Sequence, residues 1–247
     1  LLANWQSAPF YPLNVLMLVF GNIWGYGLMV FMQPLLAMSF MYLYLREIKI
    51  SQISSSLGAV IFAFSGFSMT YLEYATSGQI LLWLPLILYF IERYHTTQKI
   101  KYLGFFALCF YPVLTGGFFQ PALYVLLISS IYALFRFWQN KKIFLLGAFL
   151  VLGCLTASLQ LLPTVELLGQ SIRLVDHNIN EYQNGILPLK NLVTLLAPDY
   201  FGNPATNNFF GFMQYQETSG YFSLVALLLC LVGLTTKKTW RSRLLYF

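Results

Sequence analysis

Long apolar runs, separated by short polar gaps, make up most of the chain. A transmembrane α-helix needs about 20 mostly apolar residues to cross the hydrocarbon core of a bilayer. The runs predict an all-α fold, a polytopic bundle of about seven transmembrane helices with one large extracytoplasmic loop that contains short helices. The seven predicted spans are 23–45, 53–72, 79–94, 101–118, 119–138, 142–163 and 220–236.

Two segments differ from these runs. Segment 11–21 is apolar but too short to cross, which favours an interfacial or re-entrant position. Segment 164–219 is the only long polar stretch, and its prolines and glycines predict a loop with short helices at 164–174 and 188–197. The predicted organisation is an extracytoplasmic or interfacial segment at 1–22, a six-helix membrane region at 23–163, an extracytoplasmic loop at 164–219, and a seventh helix with a basic cytoplasmic segment at 220–247.

Composition supports a lipid environment. Hydrophobic residues form 58% of the chain and charged residues 9%, whereas soluble domains carry about 25% charged residues. The net charge is +6, but the basic residues lie in short gaps between apolar runs, so nucleic acid is not an expected partner. The three cysteines all lie within apolar runs, so neither a disulfide framework nor a thiolate metal site is expected.

Charge is divided between the two sides of the predicted bundle. When the predicted helices alternate in direction, twelve of the 14 basic residues fall on one side. Arg173 and Lys190 are the exceptions, and six of the eight acidic residues share their side. Because cytoplasmic loops carry the excess of Lys and Arg, the pattern predicts a multi-pass protein of the bacterial cytoplasmic (inner) membrane, with the loop 164–219 outside the cytoplasm.

The strongest candidate site lies where the sixth predicted span enters this loop. On a helix, Glu166, Gln170 and Arg173 are spaced i, i+4 and i+7 and share one face. Arg173 and Lys190 are the only cations on that side, and a guanidinium matches the geometry of a phosphate. Arg173 is therefore the first candidate for binding a lipid-linked phosphate and Lys190 the second. The alternative is an ordinary solvated helix end and a solvated loop lysine.

Three further candidates carry weaker signals. Glu73 is flanked by tyrosines at a predicted helix end, and Glu217 follows an aromatic-rich stretch, so either carboxylate suits a sugar hydroxyl or simply faces water. Gln120 follows Gly116-Gly117 and either lines a cavity or packs against a neighbouring helix. The two histidines are isolated in the sequence. No cofactor is evident, and a divalent metal has no support beyond being possible in principle.

Several short stretches follow one another in an order that is similar to a known family. Tyr11 to Leu16 precede the first span, and Tyr42 to Arg46 end it. The remaining stretches are Phe62 to Phe67, Leu84-Pro85-Leu86 with Glu92-Arg93, Thr115-Gly116-Gly117 with Gln120 and Tyr124, Leu162-Pro163 with Glu166, Ser171 and Arg173, Ala197-Pro198, and Glu217 with Gly220-Tyr221. The series resembles the YfhO-type bacterial membrane proteins, which are placed near the GT-C class of polyprenyl-sugar glycosyltransferases.

This resemblance implies sugar transfer at the extracytoplasmic face. The donor would be a sugar on a polyprenyl phosphate, and the acceptor a teichoic-acid-like polymer of the cell envelope. In such proteins an acid in the first extracytoplasmic loop is the typical base or metal ligand. The chain starts without Met and ends in an apolar run, so we expect an internal fragment whose catalytic acid lies upstream.

Two other functions remain open at this point. A transporter or flippase for a lipid-linked envelope precursor would need polar groups through the depth of the bilayer, and the predicted spans contain few. A non-catalytic membrane protein of envelope assembly is the third possibility. The resemblance favours the glycosyltransferase. An assay that separates sugar transfer from lipid movement distinguishes the first two, and an Asp or Glu motif in the upstream loop would favour the enzyme over the third.

Overall fold

The computed structural model describes residues 3–72, 74, 77–170, 187–211 and 214–235. Throughout these residues the regular structure is helical, and they contain no β-strand, as the sequence predicts. The α-helices are α1 (Val15–Phe20), α2 (Asn22–Glu47), α3 (Gln52–Ala63), α4 (Gly66–Thr70), α5 (Ser77–Leu81), α6 (Leu84–Thr97), α7 (Lys101–Thr115), α8 (Phe119–Phe137), α9 (Lys142–Thr156), α10 (Ser158–Gly169), α11 (Tyr215–Thr218) and α12 (Leu224–Thr235). Short 3-10 helices cover Trp5–Ser7, Pro12–Asn14, Leu189–Leu195 and Pro204–Thr206.

The prediction of about seven transmembrane helices is wrong for the described residues. Among them, α2 with 26 residues and α8 with 19 residues are long and apolar enough to cross a membrane. Helices α9 and α10 would form a third span if they are taken together as a single bent span, although they meet at an angle of 74°. Helices α3, α7 and α12 are apolar but shorter than a bilayer requires.

Helix breaks inside the apolar runs account for the discrepancy. Helix α3 ends at Ala63, and the hydroxyl of Ser65 then accepts a hydrogen bond from the backbone N–H of Ser68 and starts α4. This is the geometry of a helix N-cap. Helices α5 and α6 are likewise separated at Leu82 and Trp83. Average hydropathy does not register such breaks, because most of the residues at them are themselves apolar.

The main hydrophobic core lies among α6, α7, α8 and α9. Its fully buried side chains include Ile87, Phe106, Phe110, Val125 and Leu146. A smaller cluster joins α2 to α3 and to the start of α6. These two clusters hold the helices side by side and leave the long α2 at the edge of the core.

The amino-terminal segment packs into the helical body and does not cross it. The side-chain hydroxyl of Tyr11 donates a hydrogen bond to the backbone carbonyl of Gln79 at 3.0 Å, and Trp83 Nε1 donates to the same hydroxyl at 3.3 Å. Helix α1 then lies against α2 at Gly25, where a Cβ atom would come within 2.4 Å of the Leu16 carbonyl oxygen. Glycine is needed at position 25 for this close approach.

Candidate functional site

One end of the bundle carries a network of charged residues, which we call the basic end. Glu92 of α6 is buried, and its carboxylate contacts Arg136 of α8, with Arg136 Nε lying 2.5 Å from Glu92 Oε1. The Tyr132 hydroxyl donates to the same carboxylate at 2.6 Å, and the Tyr44 hydroxyl of α2 donates to Tyr132 at 3.2 Å. This network therefore ties together three helices.

A second ion pair continues the network towards solvent. Arg93 lies 3.3 Å from the carboxylate of Glu47 and donates to the Tyr102 hydroxyl at 3.1 Å. The hydrogen bond with Tyr102, more than the charge of Glu47, raises the pKa of Arg93. Each of the four charged side chains in the network has an oppositely charged partner, so the basic end suits helix positioning rather than ligand binding.

Sequence reasoning missed this network, although it contained a signal. Glu47 and Glu92 are the two acids on the side to which the predicted topology assigns twelve basic residues. An acid on a strongly basic side favours pairing with one of its neighbours. The particular partners lie more than 40 positions away in the chain, which only the packing of helices determines.

Acidic and aromatic residues meet at the opposite end of the bundle. We call this group the acid–aromatic cluster, and its members are Tyr71, Tyr74, Asp199, Tyr215 and Glu217. The rings of Tyr71 and Tyr74 are 6.3 Å apart, and the Tyr215 hydroxyl donates to Asp199 Oδ1 at 2.6 Å. Helix α11, which carries Tyr215 and Glu217, packs against α4. The fold thus gathers residues from distant parts of the sequence.

Two hydrogen bonds hold this arrangement in place, one that reaches α4 and one within the polar segment. The N–H of Gly66 donates to the Tyr221 carbonyl at 2.6 Å, and a Cβ atom at position 66 would lie only 2.9 Å from that oxygen. The Thr194 hydroxyl donates to the Thr218 carbonyl at 2.7 Å. The polar segment after α10 is therefore anchored to the amino end of α4.

Tyr71 and Tyr215 of the cluster keep their protons at neutral pH. Burial, and then the nearby charge of Glu217, raises the pKa of Tyr71. Burial, and then the hydrogen bond to Asp199, raises the pKa of Tyr215. Protonated phenols donate hydrogen bonds, carboxylates accept them, and aromatic rings offer flat apolar faces. Together these groups can bind a polyhydroxylated ligand.

An apolar cleft of about 460 Å³ lies next to this cluster. Helices α2, α3 and α4 form one wall and the segment before α12 forms the other. Its lining residues are Met41, Gly58, Ile61, Phe62, Ser65, Phe67, Gly220, Tyr221 and Phe222. The cleft suits a flexible hydrocarbon chain, because its exposed lining is almost entirely apolar.

A smaller cavity lies behind the break between α3 and α4. It has about 10 Å³ of space for the centre of a water-sized molecule, which corresponds to about one water. Its lining residues are Gln33, Pro34, Ala37, Phe62, Ala63, Ser68, Leu72, Gly78 and Leu82. The Gln33 side chain is 3% exposed, so this amide of α2 is buried inside the helical bundle.

The predicted site residues are not all brought together. Glu166 in α10 and Gln170 at its end are exposed, and neither side chain makes an ion pair or a hydrogen bond among the described residues. Lys190 is exposed on the 3-10 helix Leu189–Leu195. Of the predicted residues that the structure describes, Glu217 is the one that joins the acid–aromatic cluster.

The other predicted residues have different outcomes. Gln120 is exposed at the start of α8, where its amide donates to the Tyr124 hydroxyl at 2.6 Å. Arg173 and Glu73 lie outside the described residues. The described residues hold no group of three His, Cys, Asp or Glu side chains arranged to bind a metal ion.

Comparison with known proteins identifies no relative. The chain matches no protein-family model, and it shows no match among curated proteins or solved structures. The resemblance to YfhO-type proteins therefore stays a prediction.

Proposed function

We propose that this chain belongs to a multi-pass glycosyltransferase of the bacterial inner membrane. It would move a sugar from a polyprenyl-phosphate donor to a teichoic-acid-like envelope polymer at the extracytoplasmic face. The observation that carries the proposal is the apolar cleft that opens beside the acid–aromatic cluster. Tyr221 lines the cleft, and Glu217 lies four residues before it.

A lipid-linked sugar needs both surfaces at once. Its prenyl chain gains free energy in an apolar cleft, at roughly 25 cal/mol for each Å² removed from water. Its sugar hydroxyls need donors and acceptors, which Tyr71, Tyr215 and the two acids supply. Helix α2, which contributes Met41 to the cleft, is long and apolar enough to cross a bilayer.

The transfer reaction sets a third requirement. A hydroxyl oxygen of the acceptor attacks the anomeric carbon, the bond from that carbon to the phosphate oxygen breaks, and a base takes the hydroxyl proton. The departing phosphate gains negative charge and needs a cation. The charge pattern assigns this role first to Arg173 and then to Lys190. Asp199 and Glu217 bind sugar in this proposal, and the base is not assigned to a residue of this chain.

Blocking the cleft tests the proposal. Ile61→Trp places a large ring in the cleft, whereas Val60→Trp adds the same ring at a neighbouring side chain that is 46% exposed and does not line it. With reconstituted protein and a radiolabelled donor, we expect Ile61→Trp to lower sugar transfer about tenfold, or roughly 1.4 kcal/mol. Val60→Trp should leave transfer within about twofold of the wild-type rate. Equal activities in the two variants would contradict the proposal.

A flippase for the same class of lipid is the second candidate, and one observation favours it. The buried Gln33 amide lies beside two helix breaks, one between α3 and α4 and one between α5 and α6. Transporters often bind their substrates at discontinuous helices. In sealed vesicles, movement of a fluorescent polyprenyl-phosphate sugar without transfer to an acceptor would favour this function. Neither movement nor transfer would favour an assembly role.

A further inference from the structure

The Gln33 amide lacks partners in a place where it cannot reach bulk solvent. The side chain is 3% exposed, and neither its nitrogen nor its oxygen has a hydrogen-bond partner among the described residues. A buried amide without hydrogen bonds costs roughly 1–3 kcal/mol. Gln33 also lines the small cavity behind the break between α3 and α4. The orphaned amide and the cavity are independent observations of the same place.

Gly78 shapes the polar side of this cavity. The position that a Cβ atom would take at Gly78 lies 3.5 Å from Gln33 Oε1 and 3.7 Å from the backbone carbonyl oxygen of Ser68. The missing methyl group therefore leaves a space that faces two hydrogen-bond acceptors. A water molecule has two protons to donate, and a carbonyl oxygen can accept more than one hydrogen bond.

We propose that the cavity is a binding site for one ordered water molecule, held by the Gln33 amide and the Ser68 carbonyl across Gly78. The size of the cavity agrees with this proposal, because the cavity admits about one water. A neutral occupant agrees as well, since no charged side chain lines the cavity. A bare cation would need several oxygen ligands, whereas the remaining lining is largely apolar. The inference does not depend on the proposed enzymatic function.

Water-edited solid-state NMR tests the site on the full chain in lipid nanodiscs. With ¹⁵N-labelled glutamine, the Gln33 side-chain amide should receive magnetisation from a slowly exchanging water. Gln79 is the comparison residue, because it is 1% exposed and its Nε2 already donates to the Gly116 carbonyl at 2.7 Å, so it differs from Gln33 at the nitrogen, whereas the Oε1 of each lacks a partner among the described residues. Gln33→Met and Gln79→Met assign the two signals, with Gln33→Glu as a second assignment variant. No transfer to Gln33, or equal transfer to both amides, would overturn the proposal.

Gly78→Ala tests the same site by filling it. The new methyl group would meet its neighbours at ordinary contact distances, so displacement of the water is the expected result rather than a clash. The Gln33 signal should lose its water transfer, and the thermal midpoint should fall. Gly147→Ala is the control, because its Cβ would point into open space within α9 and should raise the midpoint. A rise of the thermal midpoint in both variants would refute the site. Gln33 signals that shift when sodium replaces choline as the buffer cation would also refute it, because they would indicate a bound cation instead of water.

Discussion

The two ends of the helical bundle differ in whether their buried polar groups have partners. At the basic end, Glu92 is buried against Arg136 and Tyr132, and Glu47 is paired with Arg93. Towards the opposite end, Gln33 is buried with no hydrogen-bond partner among the described residues. Asn191 of the polar segment is in the same situation, at 1% exposure. A paired network fixes helices, whereas unpaired groups leave hydrogen-bonding capacity for a ligand or solvent.

Breaking the pair at the basic end should have the largest effect. Arg136→Met leaves the Glu92 carboxylate buried without its cation, so we expect the free energy of unfolding to fall by about 3–5 kcal/mol. Denaturant titration in mixed micelles measures this loss. The double variant Glu92→Met with Arg136→Met should regain most of the stability, because no unpaired charge remains.

Two results would contradict this account of the pair. One is an equal loss of stability in the single and double variants. The other is an equal loss in Lys141→Met, which removes an exposed cation near the same end of the bundle.

A change in the acid–aromatic cluster should affect binding and leave stability unchanged. Glu217→Gln removes the charge of an exposed carboxylate, so the free energy of unfolding should change by less than about 0.5 kcal/mol. Affinity for a polyprenyl-phosphate sugar, measured by photo-crosslinking competition, should fall about tenfold, or roughly 1.4 kcal/mol. Glu166→Gln is the matched control. An equal loss of affinity in that variant would contradict the role of Glu217 in sugar binding.

The smallest expected effect is a dependence of local stability on alkaline pH. The folded pKa of Tyr215 is raised above its ordinary value. A raised pKa contributes stability that is complete below the unfolded pKa of about 10 and is lost as the pH rises through the folded value. The protection factors of the α11 amides, which correct for the base catalysis of exchange itself, should therefore fall above about pH 10. Tyr215→Phe should weaken that dependence, whereas Tyr200→Phe, which removes an exposed hydroxyl, should preserve it.

The sequence predicts some elements of the fold much better than others. The spans predicted at 23–45 and 119–138 correspond to α2 and α8 within two residues at each end, because in each an uninterrupted apolar run forms an uninterrupted helix. The span predicted at 53–72 breaks at Ser65, whose role as a helix cap depends on local geometry that hydropathy does not record.

The candidate site shows a similar division. Glu217 was singled out because of its aromatic neighbours; it lies near Tyr71 in the structure, and its binding role stays a prediction. The approach of Tyr71 to Glu217 joins residues almost 150 positions apart, so it depends on how the polar segment docks on α4. No single stretch of sequence contains that information. The spacing of Glu166 and Gln170 predicted a shared face, but a shared face alone supplies no binding partner.

The 74° angle between α9 and α10 turns the apolar surface of α10 away from the axis of α9. With α9 upright in the bilayer, α10 lies nearly flat along the headgroup layer, where its exposed Leu159, Leu162 and Val165 can rest among acyl chains. In that position α10 would limit how deeply the chain sits in the leaflet. Amphiphilic molecules diffusing within that leaflet would then meet the protein sideways, without first leaving for the aqueous phase.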